Sequence, residues 1–541
     1  MPNAACCPDG HHSHAPPSPP PSESTRATSD AYVPRDPTES VLVRTVRKHL
    51  PRFLEAAASD GHWTLPAFVE QALRDLALCG DFTGGFSHFE CDRCKEPRVV
   101  PFSCKGRLCA SCGARRMNEF AAYAVDRVLP RCDYRQWVIS FPWAIRRTLA
   151  FDATIARTVF RIAAEVISAW ISGAAAEDGV FGNPAGVLHI QRFGDGLTLN
   201  PHGHFVFSDA VFCPVETAAP RDPTGGPPPV LSYRTRPPTI ADLQSVADRI
   251  EQRVCRFLAR HAAASEGTDP SAEDLDRARL AQLAEVQPLM DRSSLAASTP
   301  RPASPGRAKK PLTARSAGGF DIHAGVAIPA YARDALERLL RYLARPAVAA
   351  ERLRELPNGH IAVDLKRAWK NDVRTLTFKP LDFLARLAAL APPPRMHLIS
   401  YFGVIASRAA LRPAALPEPP LDGGPDPVAP ARPKKMKWAD LLRRVFWIDP
   451  LACPCGGRFR LVAVVRNPTL IQAVCAALHL SGHLQENRLP RGPPAHWPPP
   501  RSRARRTTQR AARNAAKRPT SPAGQAPRAQ RKSRALRDAK T

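Results

Sequence analysis

The sequence predicts an α+β chain: a helical and zinc-ribbon region first, then an antiparallel sheet flanked by helices, with disordered ends. Three observations carry this. Val187–Phe193 and His202–Phe207 are short, rich in apolar, β-branched and aromatic residues, and separated by a Gly194-Asp195-Gly196 break, the signature of a β-hairpin. Upstream, Tyr134–Trp143 resembles a buried strand, and Arg157–Ile171 an amphipathic helix with Val159, Ile162, Val166 and Ile167 on one side. The order strand, helix, strand, strand fits an α/β or α+β sandwich with an antiparallel centre. Two CxxC pairs, Cys91/Cys94 and Cys109/Cys112, precede that order.

Composition sets the bounds. The chain has 541 residues, room for roughly two to four domains, and 44% of them are hydrophobic, so a sizeable core can form. The 58 prolines assign much of the length to linkers. A net charge of +28 favours a polyanionic partner, nucleic acid first. From Arg501 to the end, 14 Lys/Arg stand against one Asp. No run of about 18 apolar residues occurs, so no membrane span and no membrane partner are expected. The first 40 residues hold no apolar stretch fit for a secretory signal. Fourteen cysteines in such a chain point to metal before disulfides.

The elements follow in order. Residues 1–40, rich in Pro, Ser and His, read as a disordered tail, with Cys6, Cys7, His11, His12 and His14 as a loose metal cluster at most. Residues 41–125 read as a helical lead-in and a zinc-binding domain. Val43, Val46, Leu50 and Phe53 form one helical face, with Pro51 expected to break or kink it, and Phe68, Leu73 and Leu76 form another. The paired CxxC knuckles supply four thiolates at the spacing of a structural zinc ribbon. Cys104 lies between them, either as one of the four or as a nearby thiol. Lys95, Arg98, Lys105, Arg107, Arg115 and Arg116 surround the knuckles and suit phosphate contacts.

Residues 130–412 read as one catalytic-sized domain, with a flexible Pro-rich insertion at about 214–316 that is helical between Ile240 and Leu289. Tyr331–Ala344 is a helix striped by Leu336, Leu339, Leu340 and Leu343, and Pro346 ends it. His360–Phe383 contains another hairpin. Its Lys366, Arg367, Lys370 and Arg374 suit a single-strand channel with Trp369 as a stacking surface; a solvated basic face with a half-buried Trp explains them equally well. A Pro-rich linker (413–435), a small region of two helices around a strand (436–485) and a basic, disordered tail (490–541) complete the chain.

The hairpin carries the chemistry. Side chains at i and i+2 share one face of a strand, so His202 and His204 point the same way with only Gly203 between them. Folding back about the turn brings the amide of Gln191 to the same place. Two imidazoles and an amide leave coordination positions open, which suits Mg²⁺ or Mn²⁺ holding phosphate oxygens. The plain alternative is a strand with two exposed histidines. Tyr342 sits beside the leucine stripe with Arg341 and Arg345 around it. A phenol is a poor nucleophile while protonated, and a polarised phosphate with cations nearby favours its phenolate. The alternative there is a structural hydrogen bond at a helix surface.

Taken together, Gln191-Arg192-Phe193-Gly194, Asn200-Pro201-His202-Gly203-His204, the five-cysteine stretch with Ser103-Cys104-Lys105-Gly106-Arg107, Arg341-Tyr342-Leu343-Ala344-Arg345-Pro346 and the segment from Arg395 through Tyr401 to Ala406 resemble the rolling-circle HUH transposases of bacterial insertion sequences, the IS-ninety-one and ISCR type. The resemblance covers roughly residues 41–480. It implies a zinc region that recognises DNA and an HUH endonuclease-like domain that cuts one strand. His202, His204 and Gln191 would hold Mg²⁺ or Mn²⁺, and Tyr342 would form a 5′-phosphotyrosine at single-stranded element ends, later joined to target DNA. Lys105, Arg107, Arg115, Arg116, Arg341, Arg345, Lys366 and Arg367 would contact DNA. No small-molecule substrate is implied, and the setting would be the bacterial cytoplasm at the nucleoid.

Three departures from the family stand out. Gly203 replaces a bulky apolar residue, which predicts a looser site. Arg338, four residues before Tyr342, is not a second tyrosine. Cys453-Pro454-Cys455-Gly456-Gly457 is CxC where relatives tend to have CxxC, and reads as a degenerate remnant. A decayed transposase that binds DNA through its zinc region without cutting is the alternative function. His397 and Tyr401 would share a face if helical, with Tyr401 the second-choice nucleophile.

Overall fold

The computed structural model describes residues 40–59, 65–215, 229–265, 271–289, 312–366, 368, 372–417 and 436–478. The tails at 1–39 and 490–541, most of the 413–435 linker, and Arg367, Trp369 and Lys370 lie outside these residues. Helices α1 (Val41–Ser59) and α2 (Ala67–Ala77) lead into strands β1 (Phe86–Cys91) and β2 (Pro97–Pro101) and helix α3 (Ala110–Arg127). Next come β3 (Tyr134–Ser140), α4 (Trp143–Phe151), α5 (Ala153–Ala176), β4 (Ala185–Phe193), β5 (Leu199–Ser208), β6 (Ala210–Pro214) and β7 (Val230–Arg234). They are followed by α6 (Ile240–Ser265), α7 (Ala272–Glu285), β8 (Thr313–Arg315), β9 (Asp321–Ile328) and α8 (Arg333–Leu343). The remainder is β10 (Leu353–Glu355), β11 (Ile361–Asp364), β12 (Thr375–Phe378), α9 (Pro380–Ala389), β13 (Ile399–Gly403), α10 (Arg412–Ala415), α11 (Trp438–Phe446), β14 (Phe459–Val465) and α12 (Pro468–Ala477). The α+β expectation holds.

The main sheet has six strands in the order β13-β4-β5-β3-β9-β8, each pair antiparallel. Alternation along β5 feeds two cores. Phe205 and Phe207 point into one, with Val159, Phe160, Ile167 of α5 and Val246, Ile250 of α6. Val206 points into the other, with Phe120, Ala121, Val125 of α3 and Leu336, Leu340 of α8. The sheet is therefore a sandwich filling between two helical layers, and α3 spans from the cysteine-rich region into one of them.

Several sequence expectations need correction. α1 runs unbroken through Pro51. Its apolar stripe of Val43, Val46, Leu50 and Phe53 is buried on both sides of the proline, whose ring faces solvent. That burial outweighs the loss of one backbone hydrogen bond. α6, expected inside a flexible insertion, is part of the core: Leu243, Val246, Ala247, Ile250 and Val254 are all buried. Residues 399–403 form an edge strand on β4, not a helix, so His397 and Tyr401 do not share a helical face. The C-terminal region is not separate either. β14 pairs antiparallel with β1, making the three-stranded sheet β14-β1-β2 and completing a ribbon that two strands alone would leave marginal. α5, at 24 residues, is long and apolar enough to cross a membrane, but its apolar side packs in the core.

Gly203 shows why a small residue fits the centre of β5. A Cβ there would lie 2.7 Å from the Phe205 ring and 2.9 Å from the Phe160 ring. The two rings fill the space that a larger side chain would take, so the glycine does not loosen the strand. Gly203→Val, which restores the bulk usual in the family, is expected to destabilise the protein by about 1–3 kcal/mol through overpacking. Urea denaturation measures this, and equal or greater stability in the variant would refute the packing argument.

Candidate active site

In the β4–β5 ladder Gln191 lies opposite His202, and His189 lies opposite His204. All four face the α3/α8 layer, because Val187 and Val206 at the same parity do. The His202 and His204 rings lie 4.9 Å apart between centroids. His202 Nδ1 donates to the Asn200 carbonyl at 2.7 Å, which leaves Nε2 with its lone pair free to bind. His204 Nδ1 lies 2.9 Å from the side-chain amide of Gln136. The amide atom placed there is Nε2; exchanging the amide O and N, which only their partners distinguish, sets Oε1 against Nδ1–H and leaves the His204 Nε2 lone pair available to a metal. Burial holds His204 down to about 2 and His202 below its ordinary value, so both rings are neutral near pH 7.

Gln191, only 1% exposed, has two tasks. Its Nε2 donates to the carbonyls of Leu343 (2.6 Å) and Tyr342 (3.3 Å), two of the last acceptors of α8. Its Oε1 therefore points away from the helix, and it is buried with no protein partner. His204 Nε2 is likewise buried and unpartnered. Buried polar atoms left so are costly, and a divalent cation is a group that would satisfy both. Among the described residues, no third His, Cys, Asp or Glu gathers with His202 and His204 within 4.8 Å, so His189 is not part of a compact set. The residues that could hold an ion here are His202, His204 and Gln191, an open set.

The hydrogen bonds from Gln191 fix the end of α8 beside the histidines. The Tyr342 ring stands edge-on to His204 at 6.1 Å between centroids and is 48% exposed. The Arg345 guanidinium lies 4.4 Å from the ring centroid and Lys366 Nζ 5.5 Å from it. Asp195, in the hairpin turn, anchors the strap that brings Lys366: it accepts from Arg352 at 2.6 Å and from the Lys366 backbone N–H at 2.9 Å. A cleft of about 770 Å³ opens here, lined by Tyr342, Arg345, Lys366, the turn at Asp195, and Ser111 and Met117 of α3. Arg192 faces the other way. Its buried guanidinium donates to the carbonyls of Ala150 and Leu390, at the ends of α4 and α9.

The other expected contacts divide. Arg107 and Arg116 line a small pocket with His189, Arg192 and Arg345. Arg115 is exposed, and Lys105 is exposed with its carbonyl accepting from Arg116. Arg341 is engaged within the fold, paired with Glu337 one turn earlier. Tyr401 packs in the α3/α8 core, and burial pushes its phenol up to about 12, a poor starting point for a nucleophile. Gln136 and Asp195 were not found by sequence reasoning. A pairing partner in β3 and a turn aspartate carry no local signal for a site.

The single five-cysteine ribbon is also corrected. Cys109 and Cys112 gather with Cys104 and with Cys79, which lies before the ribbon. Cys79 Sγ is 3.6 Å from Cys109 and 3.7 Å from Cys112, and Cys104 is 3.5 Å from Cys112. Four thiolates at about 2.3 Å from a tetrahedral zinc lie about 3.8 Å apart, so the group fits a structural zinc ion. Cys91 and Cys94 stand apart from this group, with Cys453 and Cys455. The first group sits at the start of α3. There Gly113 approaches the segment after α8 so closely that a Cβ would lie 2.6 Å from Pro346. The zinc-bearing end of α3 thus abuts the Arg345-Pro346 corner beside Tyr342.

Two outcomes follow. Cys79→Ser should release zinc to a competing chelator as readily as Cys109→Ser, and wild-type retention would remove Cys79 from the set. For the histidine site, Gln191→Leu is expected to weaken Mn²⁺ binding on the order of 10-fold or more, whereas Gln191→Glu retains an oxygen donor and binding. Mn²⁺ titration followed by electron paramagnetic resonance separates the two, and equal affinity in the Leu variant would exclude the amide as a ligand.

Comparison with known proteins matches both regions of the chain to transposase families. The family model "Putative transposase" matches residues 186–412, which include the β4–β5 hairpin and α8. The model "Transposase zinc-binding domain" matches residues 45–141, which include all six cysteines from Cys79 to Cys112. No curated protein and no solved structure matches the chain. With a zinc-binding domain of that type ahead of a transposase domain, and with thiolates placed for zinc in the first, the chain belongs to the IS-ninety-one family of transposases.

Proposed function

We propose that this transposase cuts single-stranded DNA at the ends of an insertion sequence with Tyr342 as nucleophile, as the first step of rolling-circle transposition. The observation that carries the reading is the approach of Tyr342 to His204, with Gln191 bonded to the end of the same helix. The Tyr342 oxygen attacks the scissile phosphorus and its proton passes to solvent. The bond from phosphorus to the 3′ oxygen breaks, and that oxygen takes up a proton as a free 3′-OH. The 5′ phosphate remains on the tyrosine, so the phosphodiester energy is conserved for later joining to target DNA without ATP.

Arg345 and Lys366 neutralise charge on the phosphate beside the ring. His202, His204 and Gln191 would hold Mg²⁺ or Mn²⁺, which would supply Lewis-acid polarisation of the phosphate. Arg107, Arg115, Arg116 and Lys105 extend the basic surface toward the zinc region, where duplex or single-stranded flanks of the element end would lie. The reaction would take place in the bacterial cytoplasm, on DNA of the nucleoid. α8 carries Arg338 where a second tyrosine would sit, so one tyrosine serves each cleavage.

Incubation with labelled single-stranded end oligonucleotides and Mn²⁺, followed by a denaturing gel, tests this. The expected result is a covalent protein–DNA adduct that falls to background in Tyr342→Phe and in His202→Ala/His204→Ala but persists in Tyr401→Phe. An adduct that survives Tyr342→Phe moves the nucleophile elsewhere. End binding that needs zinc, with no adduct in the wild type, favours a decayed, binding-only protein.

A further inference from the structure

We propose that Cys91, Cys94, Cys453 and Cys455 form a second zinc site, separate from the first, that fastens the C-terminal segment onto the β1–β2 ribbon. The Sγ atoms of Cys91 and Cys455 lie 3.5 Å apart and those of Cys94 and Cys453 lie 3.6 Å apart. All four lie within 4.8 Å of one another. These are tetrahedral edges for zinc at about 2.3 Å from each sulfur, and four sulfurs with no oxygen select a soft, tetrahedral ion over Mg²⁺ or Ca²⁺. The four thiols are unbridged.

The backbone explains how CxC serves where a CxxC knuckle is usual. The Gly457 N–H donates to Cys455 Sγ at 3.4 Å, as the Gly106 N–H does to Cys104 Sγ at 3.3 Å in the first group. Gly456 has φ +84°, the left-handed region that glycine accepts without strain. A Cβ on Gly457 would lie 2.7 Å from Cys91 Sγ, so only glycine admits that thiolate. Sheet pairing sets the two motifs face to face: Cys91 is opposite Phe459, and the Asp92 N–H donates to the Arg458 carbonyl at 3.0 Å. Arg93 donates to the Cys455 carbonyl at 2.7 Å across the same junction. The site closes a loop of about 360 residues. That loop includes α11, whose Arg444 pairs with Asp126 of α3 and with Glu337 of α8. The C-terminal segment is thereby connected to the helix that bears Tyr342.

Zinc per full-length chain, measured by mass spectrometry of the metal, is the test. Cys453→Ser/Cys455→Ser should lose one equivalent relative to wild type. Cys104→Ser/Cys112→Ser should lose one as well, and the two losses should add. In the wild-type protein itself, Cys94, Cys453 and Cys455 should resist iodoacetamide until a strong chelator is added, a readout that holds if the double variant does not fold. An unchanged zinc content in Cys453→Ser/Cys455→Ser would overturn the proposal. So would rapid alkylation of Cys453 and Cys455 at full zinc load, or iron in place of zinc at this site.

Discussion

The register of β5 against β4 is the constraint on which the site depends. Side-chain parity in a strand is absolute, so a slip of one residue would turn His202 and His204 toward α5 and leave Phe205 and Phe207 facing α8. The slip is opposed from both sides of the sheet. Phe205 and Phe207 are fully buried against α5 and α6, and Gly203 is matched to Phe160. On the opposite face, Gln191 bonds only if its amide reaches the end of α8. Apolar burial therefore sets the direction of two polar rings, and one amide transmits that direction to the helix of Tyr342.

The second determinant is α3. It begins within a zinc group and ends in the core of the main sheet, packed on α8. A DNA-recognition module joined by a flexible linker would be free to bind an element end in many orientations relative to the cleft. A helix shared between zinc group and sheet removes that freedom, because Ser111 and Met117 of α3 line the same cleft as Tyr342 and Arg345. For the proposed cleavage at Tyr342, orientation of this kind would contribute to rate through entropy already lost in folding. Glu337 adds to it, pairing with Arg341 in its own helix and with Arg444 from α11.

What could be read from the sequence was what repeats locally. The hairpin, the shared face of His202 and His204, the leucine stripe of α8 and the α5 helix are all set by periods of two or 3.6 residues. Each lies close to where the sequence analysis put it. What could not be read depends on distant partners. Cys79 lies 30 residues before Cys109, and Cys453 lies 359 residues after Cys94, so beyond its CxxC pair neither ligand set has a spacing to recognise. Residues 399–403 became a strand because β4 offered a free edge, and β14 was drawn to β1 in the same way. Pro51 was misjudged because propensity acts at one residue while burial sums over the whole face of α1.

These non-local features bear on whether the chain is an intact enzyme or a decayed one. Two departures from the family pattern spoke for decay: a glycine in the HUH strand and a shortened cysteine motif. Neither has the structural mark of decay. Random loss of a bulky side chain at position 203 would leave a void on the α5 side of β5, the face opposite the histidines, yet the Phe160 and Phe205 rings occupy that space. Random loss of a residue from a CxxC motif would move one thiol out of range. Instead Gly456 and Gly457 reshape the turn so that both sulfurs still meet Cys91 and Cys94. Both departures are thus accommodated by the surrounding fold, and neither by itself marks the chain as decayed.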